Sequence, residues 1–196
     1  MNIGLFFGSF NPIHVGHLAL AQAVLNHGCV EQIWFVVTPH NPLKEKKTLL
    51  RDSLRLNLVR EAIQDHLEFR VCDIEFHLKP PYYTAITLTH LKEKHPAHSF
   101  SLILGEDNLA GLSRWYNASY IVNNHPIVVY PRHNGENNVE LMKGVQNQGN
   151  ITFLEDYQHI NISSSQIRGL IKQKKSVRFL VPDSVLELIE RSGYYQ

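Results

Sequence analysis

The chain has little cysteine, no excess charge of one sign and no long apolar run, and each absence excludes a class of protein. Its two cysteines, Cys29 and Cys72, form no CxxC pair, which is typical of the reducing cytoplasm rather than of a disulfide-bonded secreted domain. Lys plus Arg number 19 and Asp plus Glu 18, a balance that argues against a nucleic-acid or polybasic membrane surface. No run approaches the ~20 apolar residues that span a bilayer. We therefore expect a cytoplasmic protein with small-molecule partners.

Apolar runs alternate with amphipathic stretches, which predicts an α/β fold. The runs predicted as strands are 3–7, 33–37, 69–74, 101–104, 127–130 and 151–154, and several are apolar on both faces, as in a parallel sheet. Helical spacing occupies 18–25, 54–63 and 83–94, and Arg55, Asn57 and Arg60 are expected to face away from the apolar side of the second helix. This alternation predicts a Rossmann-like, doubly wound parallel sheet. We expect one domain, residues 1–196, with 160–196 as a small C-terminal helical lid.

Residues 8–17, GSFNPIHVGH, convert the first predicted strand into the start of a helix. A helix that restarts near Ile13 would present unpaired backbone N–H groups, which favour an anion such as a nucleotide phosphate. His14 and His17, three residues apart, would then lie on one helix face. Two such histidines can also hold a metal, but no cysteine or carboxylate at metal-site spacing accompanies them. Phosphate binding is therefore the favoured interpretation, with no metal ligand predicted and with nucleotide contacts from Gly8, Ser9, Phe10 and Gly16.

A second helix start of the same character lies near the end of the chain. Ser163, followed three residues later by Gln166, has the form of a capping box. On the first turn of that helix, Arg168 is expected to add a planar, permanently charged group that suits phosphate oxygens. An ordinary capped surface helix would show the same pattern, but two phosphate-type helix starts in one chain favour a shared triphosphate site.

These two motifs resemble signatures of the HxGH nucleotidyltransferase superfamily, whose members move a nucleotidyl group from a nucleoside triphosphate onto a phosphate. Residues 8–17 match the HxGH element, and residues 162–168, ISSSQIR, are similar to its ISSTxIR element. The resemblance implies catalytic roles for His14, His17 and Arg168 and ATP contacts from Ile162, Ser163 and Ser164.

Further segments resemble those of bacterial nicotinate-nucleotide adenylyltransferases within that superfamily, so that the resemblance covers nearly the whole chain. Residues 105–115, GEDNLAGLSRW, are similar to GxDxxxxLxxW, and residues 81–88, PYYTAITL, resemble PSYTxxTL with Tyr82 in place of the usual serine. Residues 39–44, PHNPLK, occupy the place of the substrate loop. Residues 130–132 stand where a strand-end arginine is expected, although the usual RPG order becomes Pro-Arg-His.

The resemblance implies specific roles for residues of these segments. They are ATP contacts at Gly105 and Asp107, mononucleotide contacts from His40, Tyr83, Thr84, Trp115 and Arg132, and a second catalytic clamp at Lys44. Aromatic faces and hydroxyl donors also suit, on chemical grounds, a pyridine ring that carries a carboxylate. Plain structural alternatives stay open: Trp115 as core, Thr84 as a helix cap, and Asp107 as the cap of a helix that begins at Asn108.

The implied reaction joins ATP and nicotinate mononucleotide into nicotinate adenine dinucleotide and pyrophosphate, with Mg²⁺ bound with the ATP. The alternatives are a nucleotidyltransferase with a nicotinamide mononucleotide or phosphopantetheine acceptor, a non-catalytic ATP-binding sensor, and a histidine-based metal protein. ATP and the mononucleotide are the expected partners, without nucleic acid or membrane, and the sequence is compatible with a homo-oligomer.

Overall fold

A computed structural model of the protein describes residues 1–39, 49–131, 150–154, 157 and 160–196. Its strands are β1 (Asn2–Gly8), β2 (Gln32–Val37), β3 (Phe69–Cys72), β4 (Ser99–Gly105), β5 (Ile127–Tyr130) and β6 (Ile151–Phe153). All of them pair in parallel, in the order β3-β2-β1-β4-β5-β6. Because the strand order reverses beside β1, this is a doubly wound, Rossmann-like sheet. The predicted fold class is confirmed.

Seven α-helices connect and cover these strands in the described part of the chain. They are α1 (Val15–Asn26), α2 (Asp52–Ile63), α3 (Thr84–Lys94), α4 (Glu106–Gly111), α5 (Ala118–Asn124), α6 (Ser164–Lys172) and α7 (Asp183–Ser192). The predicted third strand is two residues too long, because Ile74 opens a 3-10 turn, Ile74–His77, directly after β3. None of the helices described is long and apolar enough to cross a membrane.

Alternate residues of each central strand pack on opposite faces of the sheet, as the two-residue period of a strand requires. Phe6 and Phe35 belong to the core that includes α1, α2, α6 and α7. Leu5 and Val36, their neighbours in sequence, belong to the core on the other face, with α3 and α5. Both faces are therefore covered, which explains why the central strands carry apolar residues on both sides.

The C-terminal helices share a core with the first half of the chain. Ile167 of α6 and Val185 of α7 are fully buried in the same cluster as Leu58 of α2. Ser184 at the start of α7 donates its hydroxyl to the carbonyl oxygen of Glu61, at 2.9 Å. Burial of these side chains supplies the energy that holds α6 and α7 on this face. The predicted division of the chain at residue 160 into a main part and a helical lid stays a prediction.

Candidate active site

The loop after β1 turns its one large side chain inward. Phe10 is 1% exposed, and its ring packs edge-on against the rings of Phe6, Phe35 and His17. A Cβ atom on Gly8 would lie 2.7 Å from the Phe10 ring, so only glycine leaves room for that ring beside the strand end. Phe10 itself has a φ of 41°, in the left-handed region. A ligand in this loop can therefore meet Phe10 only through its main chain.

The rings of His14 and His17 stack at the start of α1, with centroids 3.7 Å apart and planes inclined by 25°. The helix begins at Val15 with His14 as its N-cap, two residues later than the start expected near Ile13. His14 is buried, and the loss of water around the ring lowers its pKa to about 4. At neutral pH His14 is thus an uncharged imidazole held against its partner.

The orientation of the His17 ring follows from one hydrogen bond. The backbone N–H of His14 donates to Nδ1 of His17, at 3.3 Å. A ring nitrogen that accepts carries no proton, so the neutral imidazole of His17 has its proton on Nε2. The rings of Phe6 and Phe10 lie edge-on to it, with centroids at 5.9 and 5.1 Å. Contacts within the protein therefore fix both the tautomer and the plane of this donor.

Gly16, between the two histidines, leaves space that the protein itself fills. A Cβ atom there would lie 3.1 Å from Nδ1 of His14 and 3.6 Å from the carbonyl oxygen of Ile160. The first distance is shorter than ordinary van der Waals contact, so any larger residue would press on the buried imidazole. Gly16 thus permits both the packing of His14 and the close approach of the main chain at Ile160.

Two backbone N–H groups in the first turn of α1 already have acceptors within the protein. The N–H of Val15 donates to the carbonyl oxygen of Leu180, at 3.0 Å, and the N–H of His17 donates to the carbonyl oxygen of His14, at 2.9 Å. The expectation of a helix start with unpaired N–H groups is therefore wrong for these two residues. For Val15 the reason is a tertiary contact, because the C-terminal segment lies against the helix start, whereas the N–H of His17 is satisfied locally by the N-cap residue His14.

The start of α6 reaches the same loop from the other end of the sequence. Ser163 caps α6, because its Oγ accepts from the backbone N–H three residues later, at 3.2 Å. The hydroxyl of Ser164 donates to the carbonyl oxygen of Pro12, and Nη1 of Arg168 donates to the carbonyl oxygen of Asn11, both at 2.8 Å. The two motifs that the sequence singles out therefore meet at residues 11 and 12.

Arg168 lies on the second turn of α6, one turn later than expected. Besides Asn11, its guanidinium contacts Ser165, whose Oγ accepts from Nη2 at 3.2 Å. A guanidinium carries more N–H donors than these two bonds use, so the same side chain can hold the loop and face an anion. Its permanent charge is thereby fixed beside the loop.

Residues 105–115, which follow β4, begin next to the loop that follows β1. β4 pairs with β1, and α4 begins at Glu106 with the buried Gly105 as its N-cap. Asp107 is exposed on the first turn of α4, so the alternative of a helix that begins at Asn108 is wrong by two residues. Gly105 and Asp107 therefore stand at the point where the strand order reverses, which is where open α/β sheets bind ligands.

Aromatic side chains gather on the α3 side of this edge. The ring of Tyr83 stacks on that of Tyr116, with centroids 4.7 Å apart and planes inclined by 19°, and Tyr116 is 54% exposed. Trp115 is half-buried and packs against the core on the α3 face, so its core interpretation holds for part of the ring. Thr84 is the first residue of α3 and Tyr83 its N-cap, so the cap alternative for Thr84 is wrong.

The sequence reasoning missed two contributors to this side, Tyr116 and Glu75. Tyr116 follows Trp115 directly, and two adjacent aromatic residues in a polar stretch were the available signal. Glu75 is 1% exposed, and its Oε1 accepts from the hydroxyl of Thr87 at 2.8 Å. Burial raises the pKa of Glu75 to about 7, against hydrogen bonds from Thr87 and Thr38 that lower it. Glu75 thereby joins α3 to the end of β2.

Three of the predicted site residues, His40, Lys44 and Arg132, lie outside the described residues. Among the residues that are described, no three or more His, Cys, Asp or Glu side chains gather in a group that could hold a metal ion. The donors near the loop are hydroxyl, imidazole and guanidinium groups, which suit phosphate oxygens better than a bare divalent ion.

Comparison with known proteins gives one consistent result. A family model described as cytidylyltransferase-like matches residues 5–170. A protein of Flavobacterium johnsoniae named "probable nicotinate-nucleotide adenylyltransferase" is 49% identical over the full length of both chains, and one of Flavobacterium psychrophilum with the same name is 45% identical over the full length of both.

Solved structures agree on the fold. The nicotinic acid mononucleotide adenylyltransferase of Plasmodium falciparum, solved with NaAD, superposes with a TM-score of 0.79 at 21% identity, covering 99% of this chain and 97% of the other. A second structure of the same protein, solved with APC, gives 0.77 at 21% identity, covering 99% and 96%. At this identity the likeness concerns the path of the backbone.

Proposed function

The chain belongs to the nicotinate-nucleotide adenylyltransferase family of cytidylyltransferase-like proteins, and on that premise we propose that it joins ATP and nicotinate mononucleotide into nicotinate adenine dinucleotide and pyrophosphate. It is a nucleotidyltransferase of NAD biosynthesis. The observation that carries the assignment of the site is the meeting of α1 and α6 at one loop. Ser164 and Arg168 contact the carbonyl oxygens of Pro12 and Asn11 there, two and three residues before the first of the stacked histidines.

ATP is proposed to lie across this loop, at the carboxyl edge of β1 and β4. The main chain of residues 8–10, with Gly16 on the first turn of α1, is proposed to lie under the phosphates. Residues 162–164 and Arg168 close over the β- and γ-phosphates from the α6 side, since hydroxyl and guanidinium donors suit phosphate oxygens. Gly105 and Asp107 hold the adenosine ribose. A divalent metal accompanies ATP in this family, and we propose Mg²⁺, held by phosphate oxygens and water as part of the nucleotide substrate.

The mononucleotide is proposed to lie on the α3 side. Trp115 and Tyr83 supply aromatic faces for the pyridine ring, and the hydroxyl of Thr84 suits its carboxylate. The family resemblance adds His40 and Arg132 to this subsite and Lys44 as a second clamp. Tyr116, stacked on Tyr83, orders the aromatic surface before the ring arrives.

The chemical step is an in-line displacement at the α-phosphorus of ATP. An oxygen of the mononucleotide 5′-phosphate forms the new P–O bond, the bond from the α-phosphorus to the bridging oxygen of the β-phosphate breaks, and pyrophosphate leaves with that electron pair. The attacking phosphate is already anionic at pH 7, so the step requires no general base and no covalent enzyme intermediate. Positioning and charge stabilisation therefore dominate the barrier.

The two histidines supply the stabilisation of charge around the α-phosphate. The Nε2–H of His17 is a fixed donor because His14 N–H occupies Nδ1, and it is proposed to contact an α-phosphate oxygen. His14, uncharged because its burial lowers its pKa to about 4, adds a second imidazole without bringing an imidazolium against its partner. Donors that are oriented before the reaction need no reorganisation during it.

An acceptor panel tests this function. Purified protein with MgATP is given nicotinate mononucleotide, nicotinamide mononucleotide or phosphopantetheine, while pyrophosphate release and the dinucleotide product are followed in parallel. We expect equimolar pyrophosphate and nicotinate adenine dinucleotide with the first acceptor, and the highest kcat/KM for it. Preference for another acceptor would overturn the substrate assignment, and ATP binding without any transfer would favour the sensor alternative.

Two further parts of the proposal are independent of that assay. We propose a cytoplasmic location, supported by the free thiols of Cys29 and Cys72, since such thiols are usual in a reducing compartment.

Metal analysis of the purified, nucleotide-free protein tests the remaining alternative, a histidine-based metal protein. A stoichiometric metal that survives dialysis would support that alternative.

A further inference from the structure

Among the residues that the structure describes, Arg55 is the largest fully buried side chain, although it lies on an amphipathic helix where a charge normally marks the solvent face. Its exposure is 0%, whereas Arg60 on the same helix is exposed. The sequence expectation that both face away from the core is therefore wrong for Arg55. Burial of a permanently charged group is costly unless every donor finds an acceptor.

The acceptors come from the main chain of separate segments. Nη1 donates to the carbonyl oxygen of Ser9 in the loop after β1. Nη2 donates to the carbonyl oxygen of Pro39 beyond the end of β2, and Nε donates to that of Leu50 before α2, both at 3.1 Å. The planar guanidinium thus holds Ser9, in the loop after β1, and Pro39, after β2, at a fixed separation.

The ion pair of Arg55 joins a buried group to a half-exposed one. Asp52, one turn earlier on α2, accepts from Nη2 at 2.6 Å, but the Asp52 side chain is 48% exposed while that of Arg55 is fully buried. The carboxylate therefore orients the outer end of the guanidinium from the solvent side. The contacts that give the burial its geometry are those to the main-chain carbonyls.

We propose that Arg55 is a positioning residue for the transfer reaction, which sets the distance between the loop under the ATP phosphates and Pro39, the first residue of the segment that the family resemblance assigns to substrate binding. This inference rests on the proposed function. Two anionic substrates must be held in line at one phosphorus atom, and a small error in their relative placement is expensive in rate. A lysine at this place keeps the charge but lacks the fork that spans several carbonyls.

The test compares Arg55→Lys with Arg60→Lys, a matched change on the exposed face of the same helix. Circular dichroism and thermal unfolding establish the folded fraction, and kcat and both KM values are then measured well below the Tm of either variant. We expect kcat/KM of folded Arg55→Lys to fall by about tenfold or more for both substrates, with Arg60→Lys unchanged. A lower Tm with unchanged kcat and KM values would mean that Arg55 only supports the fold, and would overturn the proposal.

Asp52→Ala keeps the test decisive if Arg55→Lys does not fold, because Asp52 is half-exposed. This variant removes the side-chain oxygen that orients the guanidinium, which asparagine would retain. A fall in kcat/KM for both substrates supports the proposal, whereas wild-type values overturn it. If the wild-type protein itself performs no transfer, the proposed function fails separately. Calorimetry then compares the affinity of Arg55→Lys and Arg60→Lys for MgATP, and equal affinities would overturn the role of Arg55.

Discussion

Substitution of His17 separates its two roles, because the two ring nitrogens do different things. Nδ1 accepts the N–H of His14 and so supports the start of α1, while Nε2 carries the proton proposed for the α-phosphate. Asparagine places an amide oxygen near the position of Nδ1 and nothing at Nε2. Glutamine is one bond longer and places an amide N–H near Nε2.

The expected magnitudes follow from this geometry. Loss of a helix-cap contact costs about 1 kcal/mol of stability, and His17→Asn retains most of that contact. Loss of one preorganised donor to a developing charge costs about 2.7 to 4 kcal/mol of activation free energy, or roughly 10² to 10³ in kcat. We therefore expect His17→Asn to fold normally and to lose at least ~10²-fold in turnover, and His17→Gln to recover part of it.

The assay is pyrophosphate release at saturating MgATP and nicotinate mononucleotide, with unfolding in urea measured alongside. His27→Asn is the matched control, since His27 is exposed at the far end of α1. Near-normal turnover of His17→Asn would remove Nε2 from the mechanism. A loss of turnover that only follows a loss of folded protein would reduce His17 to a structural residue.

Three further changes probe the packing around the site. Gly16→Ala puts a Cβ atom 3.1 Å from the buried ring of His14, so kcat should fall. The control variant, Gly169→Ala on α6, meets nothing within 4 Å and should leave kcat unchanged. Equal activity of both variants in the pyrophosphate assay would show that the His14 ring has room to move. Burial raises the pKa of Glu75 from 4.5 to about 7, so between these pH values the folded protein holds a proton on Glu75 that the unfolded chain has lost. The free energy of unfolding therefore falls as pH rises through that window, and Glu75→Gln should remove up to about 3 kcal/mol of that fall. Urea unfolding of both proteins at the two ends of the window checks this, and parallel pH profiles would contradict it. Trp115→Ala should raise the KM for the mononucleotide and leave that for ATP nearly unchanged, while equal increases in both would indicate that Trp115 mainly supports packing.

The fold was predictable because local patterns decide it. Several strands are apolar on both faces and the helices mainly on one, and these periods can be recognised in the sequence itself. The boundaries are less secure, since they depend on single contacts. α1 begins at Val15 because its N–H finds the carbonyl oxygen of Leu180, far away in the sequence, and nothing local to residues 13–15 carries that information.

The site was predictable where side-chain type and spacing determine it, and not where burial does. The spacing of three residues places His14, the N-cap of α1, beside His17 on its first turn, and Ser163 caps α6 as its pattern indicates. Arg55 and Glu75 look in the sequence like solvent-facing charges. Each is buried because acceptors or donors from distant segments surround it, and a single sequence does not display such long-range pairing.

The most direct test of the shared triphosphate site is a crystal structure of the protein with Mg²⁺ and a non-hydrolysable ATP analogue. We predict one triphosphate between the two helix starts, with Nε2 of His17 and the guanidinium of Arg168 both within hydrogen-bonding distance of phosphate oxygens of that one molecule. A nucleotide bound elsewhere, or one that touches only one of these two groups, would contradict the account.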